Sequence, residues 1–373
     1  MRGSSRSELE ARVASLELAL QRSDLDRVVK DGKVLIHLSQ DLDSEAQVRT
    51  LVAHGLVRKG DSEGALDLIG PAVDRLLESG NHLLAADALD VKASALYLRQ
   101  APDTLAVAER ALAECEAAKP GSENLEARIL GHLGAIYYER HDWKKAIGSY
   151  ERAVEVGGNL QYPARVAAMY EGFGLAYQEV GDQSRAHTYA QKAIALHSAL
   201  ENEVSLANAE NNLGWLLIRQ GQLDRAEPYL RRSLDRYEKA GIEHKRSHVL
   251  LSLAELELQR GNLELAGDHA TSAIDLADTA REPANAGYGQ ELLARIAAAS
   301  SNHQAADRAF EAAIRLLERA GAPERLIETH SNYARELEAR GEMKKALEHS
   351  KAALALTRPR EDTSLDRGAA TIG

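Results

Sequence analysis

The sequence predicts an all-α solenoid of helix pairs, and one recurring residue carries most of that prediction. Alanine returns at a constant spacing along most of the 373 residues. After a first gap of 41 residues every later gap is 40, through Ala65, Ala106, Ala146, Ala186, Ala226, Ala266, Ala306 and Ala346. A period of about 20 to 50 residues is typical of repeat proteins, in which each unit buries its apolar face only against its neighbours.

A second set of small residues follows the first at a distance of seven residues. Its members are Ala72, Ala113, Ala153, Ala193, Ser233, Ala273, Ala313 and Ala353. Aromatic residues make up 4% of the chain, whereas hydrophobic residues, many of them alanine and leucine, make up 44%. This composition favours closely packed helices over strands.

One stretch, residues 211–239, shows the repeated unit. Leu213 and Leu217 recur at helical spacing, and Gly221 then ends the run, because glycine adopts the left-handed conformation beyond a helix without steric cost. Ala226 begins the apolar stripe of a second helix. The unit is therefore predicted to be a helix, a tight turn and a second helix.

Two further positions recur with the same period. A small residue stands in each first helix, at Ala53, Ser94, Gly134, Gly174, Gly214, Ala254, Ala294 and Ala334. The turn falls at Gly60, Ala101, His141, Gly181, Gly221, Gly261, Ser301 and Gly341. We expect the small residues to let each first helix approach its partner closely.

These residues resemble the tetratricopeptide repeat, whose pattern includes an aromatic residue, Leu-Gly, tyrosine, alanine and a further aromatic. One repeat matches it at Leu133, Gly134, Tyr137, Ala146 and Tyr150, and the next at Tyr170, Phe173, Gly174 and Tyr177. The repeats here are 40 residues long instead of about 34, similar to the long repeats of kinesin light chains, spindle adaptors and MalT-like regulators. The resemblance implies a right-handed superhelix of about nine repeats, whose first helices line a concave groove.

The repeats divide the chain into three predicted regions. Eight repeats cover residues 44–357, and residues 1–43 form a degenerate capping helix pair in which Gly32 takes the small position. A short coiled coil near residues 9–20 is the alternative for that amino-terminal segment. Residues 358–373 are polar and are expected to form a disordered tail or, as an alternative, a short motif for a partner.

Charge and cysteine content narrow the class of protein. The formal net charge is −11, which argues against direct nucleic-acid binding. No run of apolar residues is long enough to span a membrane. Cys115 is the only cysteine and indicates a reducing compartment. We therefore expect a cytoplasmic protein that does not bind membranes.

The sequence carries no recognised catalytic motif. Phosphate-binding loops, zinc-binding helices of the HExxH type and nucleophile elbows are all missing from it. His244 and His248 stand four residues apart and could reach one metal ion, but without a nearby third ligand a solvated helix face is the alternative. We expect neither enzymatic activity nor a cofactor nor a bound metal.

Groove positions follow from the small residues of the first helices. For the repeat centred on Gly214 they hold Asn208, Asn211, Asn212, Trp215, Ile218 and Arg219. Asparagine amides both donate to and accept from a peptide backbone, and an exposed tryptophan is a common anchor of binding. The alternative is that Trp215 packs on a neighbouring helix and the asparagines are neutral surface.

Neighbouring repeats extend this surface. The repeats before it contribute Lys92, Arg99, Arg128, His132, Tyr138, Glu171 and Gln178. Those after it contribute His248, Ser252, Glu255, Gln259, Tyr288, Arg295, Asn332 and Arg335. Because arginine and lysine prevail in the amino-terminal part and glutamate in the rest, we expect a protein or peptide partner with acidic residues at one end.

Three functions fit this surface. The first is a non-catalytic scaffold that holds a peptide or a partner helix in the groove. The second is a sensor for a small peptide or metabolite that acts in trans, as the resemblance to MalT-like regulators implies. The third is a homo-oligomer formed through the last helix, whose Leu347 and Leu354 lack an evident capping helix.

Overall fold

The computed structural model describes residues 2–22, 24–39, 41–157 and 163–357. In that part of the chain the secondary structure consists of helices joined by turns, without a strand, and the helices form nine consecutive pairs. This arrangement confirms the predicted all-α solenoid. None of the described helices is both long and apolar enough to cross a membrane. The segment 358–373, for which we expect a disordered tail, lies outside the described residues.

Two compact units meet in sequence after residue 200. The first unit contains α1 (Arg2–Gln21), α2 (Leu25–Leu38), α3 (Leu42–Arg58), α4 (Ser62–Ser79), α5 (His82–Leu98), α6 (Thr104–Ala117), α7 (Glu123–Glu139), α8 (Trp143–Val156), α9 (Pro163–Glu179) and α10 (Gln183–Ala199). The second contains α11 (Glu203–Arg219), α12 (Leu223–Ala240), α13 (Glu243–Arg260), α14 (Leu263–Ala280), α15 (Pro283–Ala299), α16 (His303–Ala320), α17 (Pro323–Ala339) and α18 (Met343–Thr357). Odd-numbered helices are the first members of their pairs, and even-numbered helices are the second.

In the eight pairs from α3 to α18 a tight turn joins the two helices, and one residue in it has a positive φ. Seven of the eight predicted turn positions hold such a residue: Gly60, His141, Gly181, Gly221, Gly261, Ser301 and Gly341. In the third pair the residue is Gln100 (φ 53°) instead of Ala101. Asp182 shows how the next helix begins, because its carboxylate accepts from the backbone N–H of Arg185 at 3.0 Å.

Glycines in the first helices lie where two helices touch. A Cβ atom added to Gly134 would lie 2.5 Å from Cε1 of Tyr150, in the second helix of the same pair. At Gly214 the added atom would lie 2.5 Å from Cδ2 of Leu230. Packed interiors leave no room for such contacts, so the small residue permits the close approach, as predicted.

The third pair departs from the predicted phase, because Ala106 and Ala113 are exposed there. The buried stripe of α6 consists of Thr104, Ala108, Ala111 and Cys115. The prediction was wrong at this helix since α6 carries alanines at both phases, and small size alone does not distinguish them. The helix begins at Thr104, whose hydroxyl donates to the carbonyl of Ala101 at 2.6 Å.

Helix α5 also departs from the predicted phase, by one residue. Its buried small residue is Ala93, which is 1% exposed, and Ser94 is only half-buried. Counting from Ala93 moves Asp87 and Asp90 onto the face for which the sequence predicted Lys92 and Arg99. This correction changes the charge of the surface described below.

The amino-terminal pair packs against the repeats and shares their apolar core. Leu16 on α1 and Val28 and Leu35 on α2 are at most 2% exposed. Helix α2 packs on α3, and α1 touches both. Two helices therefore precede α3, which begins at Leu42.

Candidate functional site

First helices lie side by side within each unit, and their side chains form one face per unit. The first-unit face belongs to α3, α5, α7 and α9, and the second-unit face to α11, α13, α15 and α17. The 21 predicted groove residues lie on these helices or at their ends, seven in the first unit and fourteen in the second.

An ion-pair cluster occupies the first-unit face. Arg128 on α7 donates through Nε to Asp90 Oδ2 on α5 at 2.7 Å, and it also pairs with Asp87. Nδ1 of His132 lies 2.8 Å from Asp90 Oδ1. The structure thus brings Arg128 and His132 together, through two aspartates that the sequence analysis did not place there.

Burial and pairing set the charges of this cluster. Burial disfavours the charged form of Asp90, but His132 and Arg128 outweigh it and hold the pKa of the carboxyl below its ordinary value. Burial, followed by the charge of Arg128, lowers the pKa of His54 on α3 to about 4, so His54 is neutral at neutral pH. Because Asp87 and Asp90 neutralise Arg128, the expectation of a basic surface is wrong at this point.

Lys92 and Arg99 do not join the cluster. Lys92 is half-buried on α5, and Arg99 is exposed where α5 ends. The sequence does contain a signal for the two aspartates that form the cluster instead. Asp90 and Asp87 stand 38 and 41 residues before Arg128, which is about one repeat. An alignment of the repeats by charge as well as by size finds these aspartates.

The other predicted residues of the first unit lie apart from the cluster. The ring of Tyr138 packs on Trp143 with 5.0 Å between centroids. Oε1 of Glu171 lies 2.8 Å from Nε2 of His197 on α10, so this carboxylate contacts the second helix of its own pair. Oε1 of Gln178 is buried and has no hydrogen-bond partner among the residues that the structure describes.

A stripe of amides and one tryptophan runs along α11 on the second-unit face. Asn208, Asn211, Asn212 and Trp215 are each half-buried, and Arg219 is exposed. Their separations of three, four and seven residues place the first four side chains on one side of the helix. The predicted central residues therefore do share one surface.

Trp215 reaches first helices farther along the second unit. Its ring meets Tyr288 on α15 edge-to-face, with 6.3 Å between centroids and 87° between planes. The guanidinium of Arg325 on α17 lies 3.8 Å from the Tyr288 centroid and 5.8 Å from the Trp215 centroid. Trp215 thus packs on neighbouring helices, as the alternative interpretation of the sequence has it, and its side chain also remains half-exposed. The role of Arg325 was missed, because it lies outside the groove positions used there.

Buried carboxylates join the helices of the second-unit face. Both terminal nitrogens of Arg295 on α15 donate to Glu255 on α13, at 2.6 and 2.9 Å. Asn332 on α17 donates to Glu291 on α15 at 2.5 Å. Burial raises the pKa of Glu291. Burial acts in the same sense on Glu255, but Arg295 outweighs it and lowers the pKa of that carboxyl.

His248 and Ser252 share α13 but differ in exposure. His248 is exposed, with Nε2 3.0 Å from Nδ2 of Asn285. Ser252 is buried and donates to the carbonyl of His248 at 3.2 Å, so its hydroxyl is used within its own helix. Within the described part of the chain, no three His, Cys, Asp or Glu side chains are grouped to hold a metal ion.

The repeats also match a known family model. The model described as "Tetratricopeptide repeat" matches residues 125–199 and 204–279. A search of the curated proteins found no match to the sequence. The matched segments fall in the same phase as the repeats defined above and include the central stripe of α11.

Several solved structures share the fold over nearly the whole chain. A Rap protein complexed with competence and sporulation factor is 13% identical, with a TM-score of 0.70, and the match covers 94% of this chain and 98% of that one. The quorum sensor NprR from B. thuringiensis is 14% identical, with a TM-score of 0.68 and coverage of 94% and 99%. Aspartyl phosphate phosphatase F from Bacillus subtilis is 13% identical, with a TM-score of 0.65 and 95% coverage of both chains. At these identities the likeness is one of fold.

The identification of these repeats rests on observations of different kinds. The 40-residue period, the paired helices and the close contacts at Gly134 and Gly214 are properties of the chain itself. The family model agrees with them over two segments. The chain carries tetratricopeptide repeats over residues 125–199 and 204–279.

Proposed function

We propose that this protein is a non-catalytic interaction protein of the cytoplasm, which binds a peptide or helix of a partner protein on its second-unit face. One observation carries the proposal: Asn208, Asn211, Asn212 and Trp215 form a half-buried stripe on α11. One similar structure is named a phosphatase, but at 13% identity that name brings no activity to this chain, whose sequence lacks a catalytic motif.

The stripe offers the groups that a peptide backbone requires. Asparagine amides donate and accept, so they match both the N–H and the C=O of a bound segment. Oδ1 of Asn211 is buried and has no donor among the described residues, so its hydrogen-bonding capacity is unused within the chain. Because Tyr288 and Arg325 already hold the ring of Trp215, ordering it on binding costs little entropy.

A displayed library of random peptides tests this proposal. Panning against the immobilised chain should enrich peptides that bind the Asn212→Ala/Trp215→Ala double variant about tenfold or more weakly, since truncating a binding anchor costs roughly 2 kcal/mol. Lys239→Ala is the matched control, because Lys239 is 76% exposed on the second helix α12. Both variants should keep helical circular dichroism. If the enriched peptides bind the double variant as tightly as the parent, the proposal is wrong.

A peptide sensor is a second candidate, favoured by the bonds between consecutive first helices. Arg295 with Glu255, and Asn332 with Glu291, tie α13, α15 and α17 together. A ligand that competes for these side chains would change how the helices stack and so alter a surface that another protein recognises in trans. The similar folds include a quorum sensor and a Rap protein complexed with competence and sporulation factor.

Thermal-shift screening separates the two candidates. A sensor bound to a small ligand gains about 2.7 kcal/mol of stability when the free ligand is at 100 times its Kd. Short peptides and metabolites should therefore raise the Tm of a sensor. A scaffold should respond only to the longer peptides selected by panning, so a screen of small ligands without any shift in Tm contradicts the sensor.

The last helix supports self-association as a third candidate. Met343, Leu347 and Leu354 on α18 are 61%, 54% and 58% exposed. An exposed row of apolar side chains is typical of a surface that contacts another protein. We propose that α18 pairs with a second copy of the chain, and light scattering on the purified protein measures the mass that decides it.

A further inference from the structure

A cleft opens in the second unit between the eighth and ninth helix pairs. Two adjoining cavities form it, of about 310 and 550 Å³, and they share Ala298 and Glu336. The smaller cavity is also lined by Arg295, Asn332 and Arg335, all from first helices. Its volume is at the lower end of the range for ligand sites, about 300 to 1,000 Å³.

The cleft exists because one repeat departs from the pattern of the others. Ala298 and Ala299 stand near the end of α15, where earlier first helices carry larger side chains. The equivalent pairs are Tyr138 and Glu139, Gln178 and Glu179, Ile218 and Arg219, and Leu258 and Gln259. Two methyl groups in place of long side chains leave the space open.

Arg335 is the side chain in this cleft that is left without a partner. It is exposed, and it forms no ion pair or hydrogen bond with any described residue. The neighbouring acid Glu336 already lies 3.3 Å from His303 and 3.6 Å from Arg340. Arg295 is held by Glu255. The unbalanced charge in the smaller cavity is therefore positive.

We propose that this cleft binds a carboxylate of the partner peptide on Arg335, beside Asn332 and Arg295. A planar guanidinium pairs with a carboxylate through two charge-assisted hydrogen bonds. The carboxylate is either an acidic side chain or a free carboxyl terminus. The proposal rests on the peptide-binding function above, and it places the acidic end of the peptide at α15 and α17 of the second unit.

Three defined peptides test the site on the intact chain by titration calorimetry at low salt. They are Ac-Gly-Ala-Glu-Ala-Gly-NH2, the same peptide with glutamine in place of glutamate, and Ac-Gly-Ala-Ala with a free carboxyl terminus. The glutamate or free-carboxyl peptide should bind about tenfold more tightly than the glutamine peptide. Whichever of the two binds more tightly identifies the source of the carboxylate.

Two variants and one control locate the site. Arg335→Gln should abolish the preference for carboxylate, and Ala299→Gln, which restores the residue found at Gln259, should weaken binding about tenfold by filling the cavity. Arg308→Ala removes an exposed arginine of α16 outside the cleft and should change nothing. Circular dichroism confirms that each variant is folded.

The outcomes separate this inference from the function on which it rests. Equal binding of the glutamate, glutamine and free-carboxyl peptides, or no binding by any of them, overturns the carboxylate site. A preference that survives Arg335→Gln also overturns it. If peptides selected by panning still depend on Trp215 while Arg335→Gln leaves them unaffected, the carboxylate site fails and peptide binding on the second-unit face stands.

Discussion

Replacing Asp90 by asparagine tests whether ionic contacts between first helices hold the first-unit face together. The substitution keeps the shape of the side chain and removes its charge. Asp90 is 1% exposed, and its carboxylate accepts from Arg128 at 2.7 Å and lies 2.8 Å from Nδ1 of His132. Because both partners lie on α7, the substitution loosens α5 from α7 without touching the apolar core.

The expected loss of stability follows from what remains after the change. Removing one member of a buried ion pair costs about 3 to 5 kcal/mol. Asp87 still neutralises the charge of Arg128, however, and His132 is 41% exposed, so water screens the interaction between His132 and Asp90. An amide also keeps one acceptor oxygen. We therefore expect Asp90→Asn to lower the free energy of unfolding of the first unit by about 2 kcal/mol.

Unit-specific fluorescence measures this loss. The chain has two tryptophans, Trp143 in the first unit and Trp215 in the second, so a Trp215→Phe background reports on the first unit alone. A loss of about 2 kcal/mol moves the urea midpoint down by roughly 1 M when m is about 2 kcal/mol/M. Glu291→Gln is the matched control, followed in the second unit by Trp215 emission. Burial already disfavours the charge of Glu291, so this change should cost less than about 1 kcal/mol.

The pH dependence gives a second check on the same substitution. The folded pKa of Asp90 lies below its ordinary value of 3.8, so its stabilisation is present above pH 3.8 and is lost as the pH falls through the folded pKa. The parent and Asp90→Asn should therefore begin to converge below pH 3.8. A midpoint shift under about 0.2 M at pH 7, or a difference that persists at low pH, would refute this account of the face.

Three further predictions concern packing, protonation and assembly. Gly134→Ala should lower the free energy of unfolding by about 1 to 3 kcal/mol, because the added Cβ would lie 2.5 Å from Tyr150. Gly148 faces open space, so Gly148→Ala should raise the free energy of unfolding by up to roughly 1 kcal/mol. Urea unfolding that ranks the two variants in the opposite order contradicts the packing argument. Burial lowers the pKa of His54 from 6.5 to about 4, so on acidification the unfolded chain takes up the proton before the folded chain does. The free energy of unfolding of the first unit should therefore fall between pH 6.5 and 4, and His54→Gln should make this pH dependence weaker. Leu354→Glu changes a side chain that is 58% exposed on α18 and should convert the assembled protein into monomers, as measured by light scattering. If the parent protein is already monomeric, self-association through α18 is wrong.

The repeated parts of the fold could be predicted from the sequence, because the residue pattern for each of them occurs eight times. A glycine or another residue with positive φ ends the first helix at seven predicted positions, and small residues such as Gly214 stand at the helix crossings. A single ambiguous helix does not disturb such a pattern. This redundancy explains why the architecture was right even though α6 was placed in the wrong phase.

The phase error in the third pair shows what redundancy does not protect. Ala106 and Ala108 have the same size, so the periodic rule could not choose between them, and burial in the structure decides for Ala108. In the neighbouring helix α5 the error was one residue, and it led to Lys92 and Arg99 being predicted on the surface where Asp87 and Asp90 lie. It therefore reversed the sign of the predicted charge. A one-residue slip leaves the fold intact and changes the chemistry of its surface.

Contacts that span several repeats lie beyond any periodic rule. Trp215 meets Tyr288 two pairs farther along the chain, and Arg325 lies three pairs farther along, on α17. The pattern of the 40-residue unit does not predict these contacts, because they depend on the length of individual side chains. The packing of the candidate anchor could therefore be learned only from coordinates.

The faces of the two units constrain how a partner can be recognised. Where first helices meet, most charged side chains already pair with one another, as Arg128 does with Asp90 and Arg295 does with Glu255. A ligand that displaced these contacts would have to replace a buried charge-assisted bond with another of equal strength, and it would gain little. Net affinity must come from groups whose hydrogen-bonding capacity is unused within the chain. On the second-unit face the amide oxygen of Asn211 and the guanidinium of Arg335 meet that condition among the described residues, and for this reason the proposed peptide is placed against both.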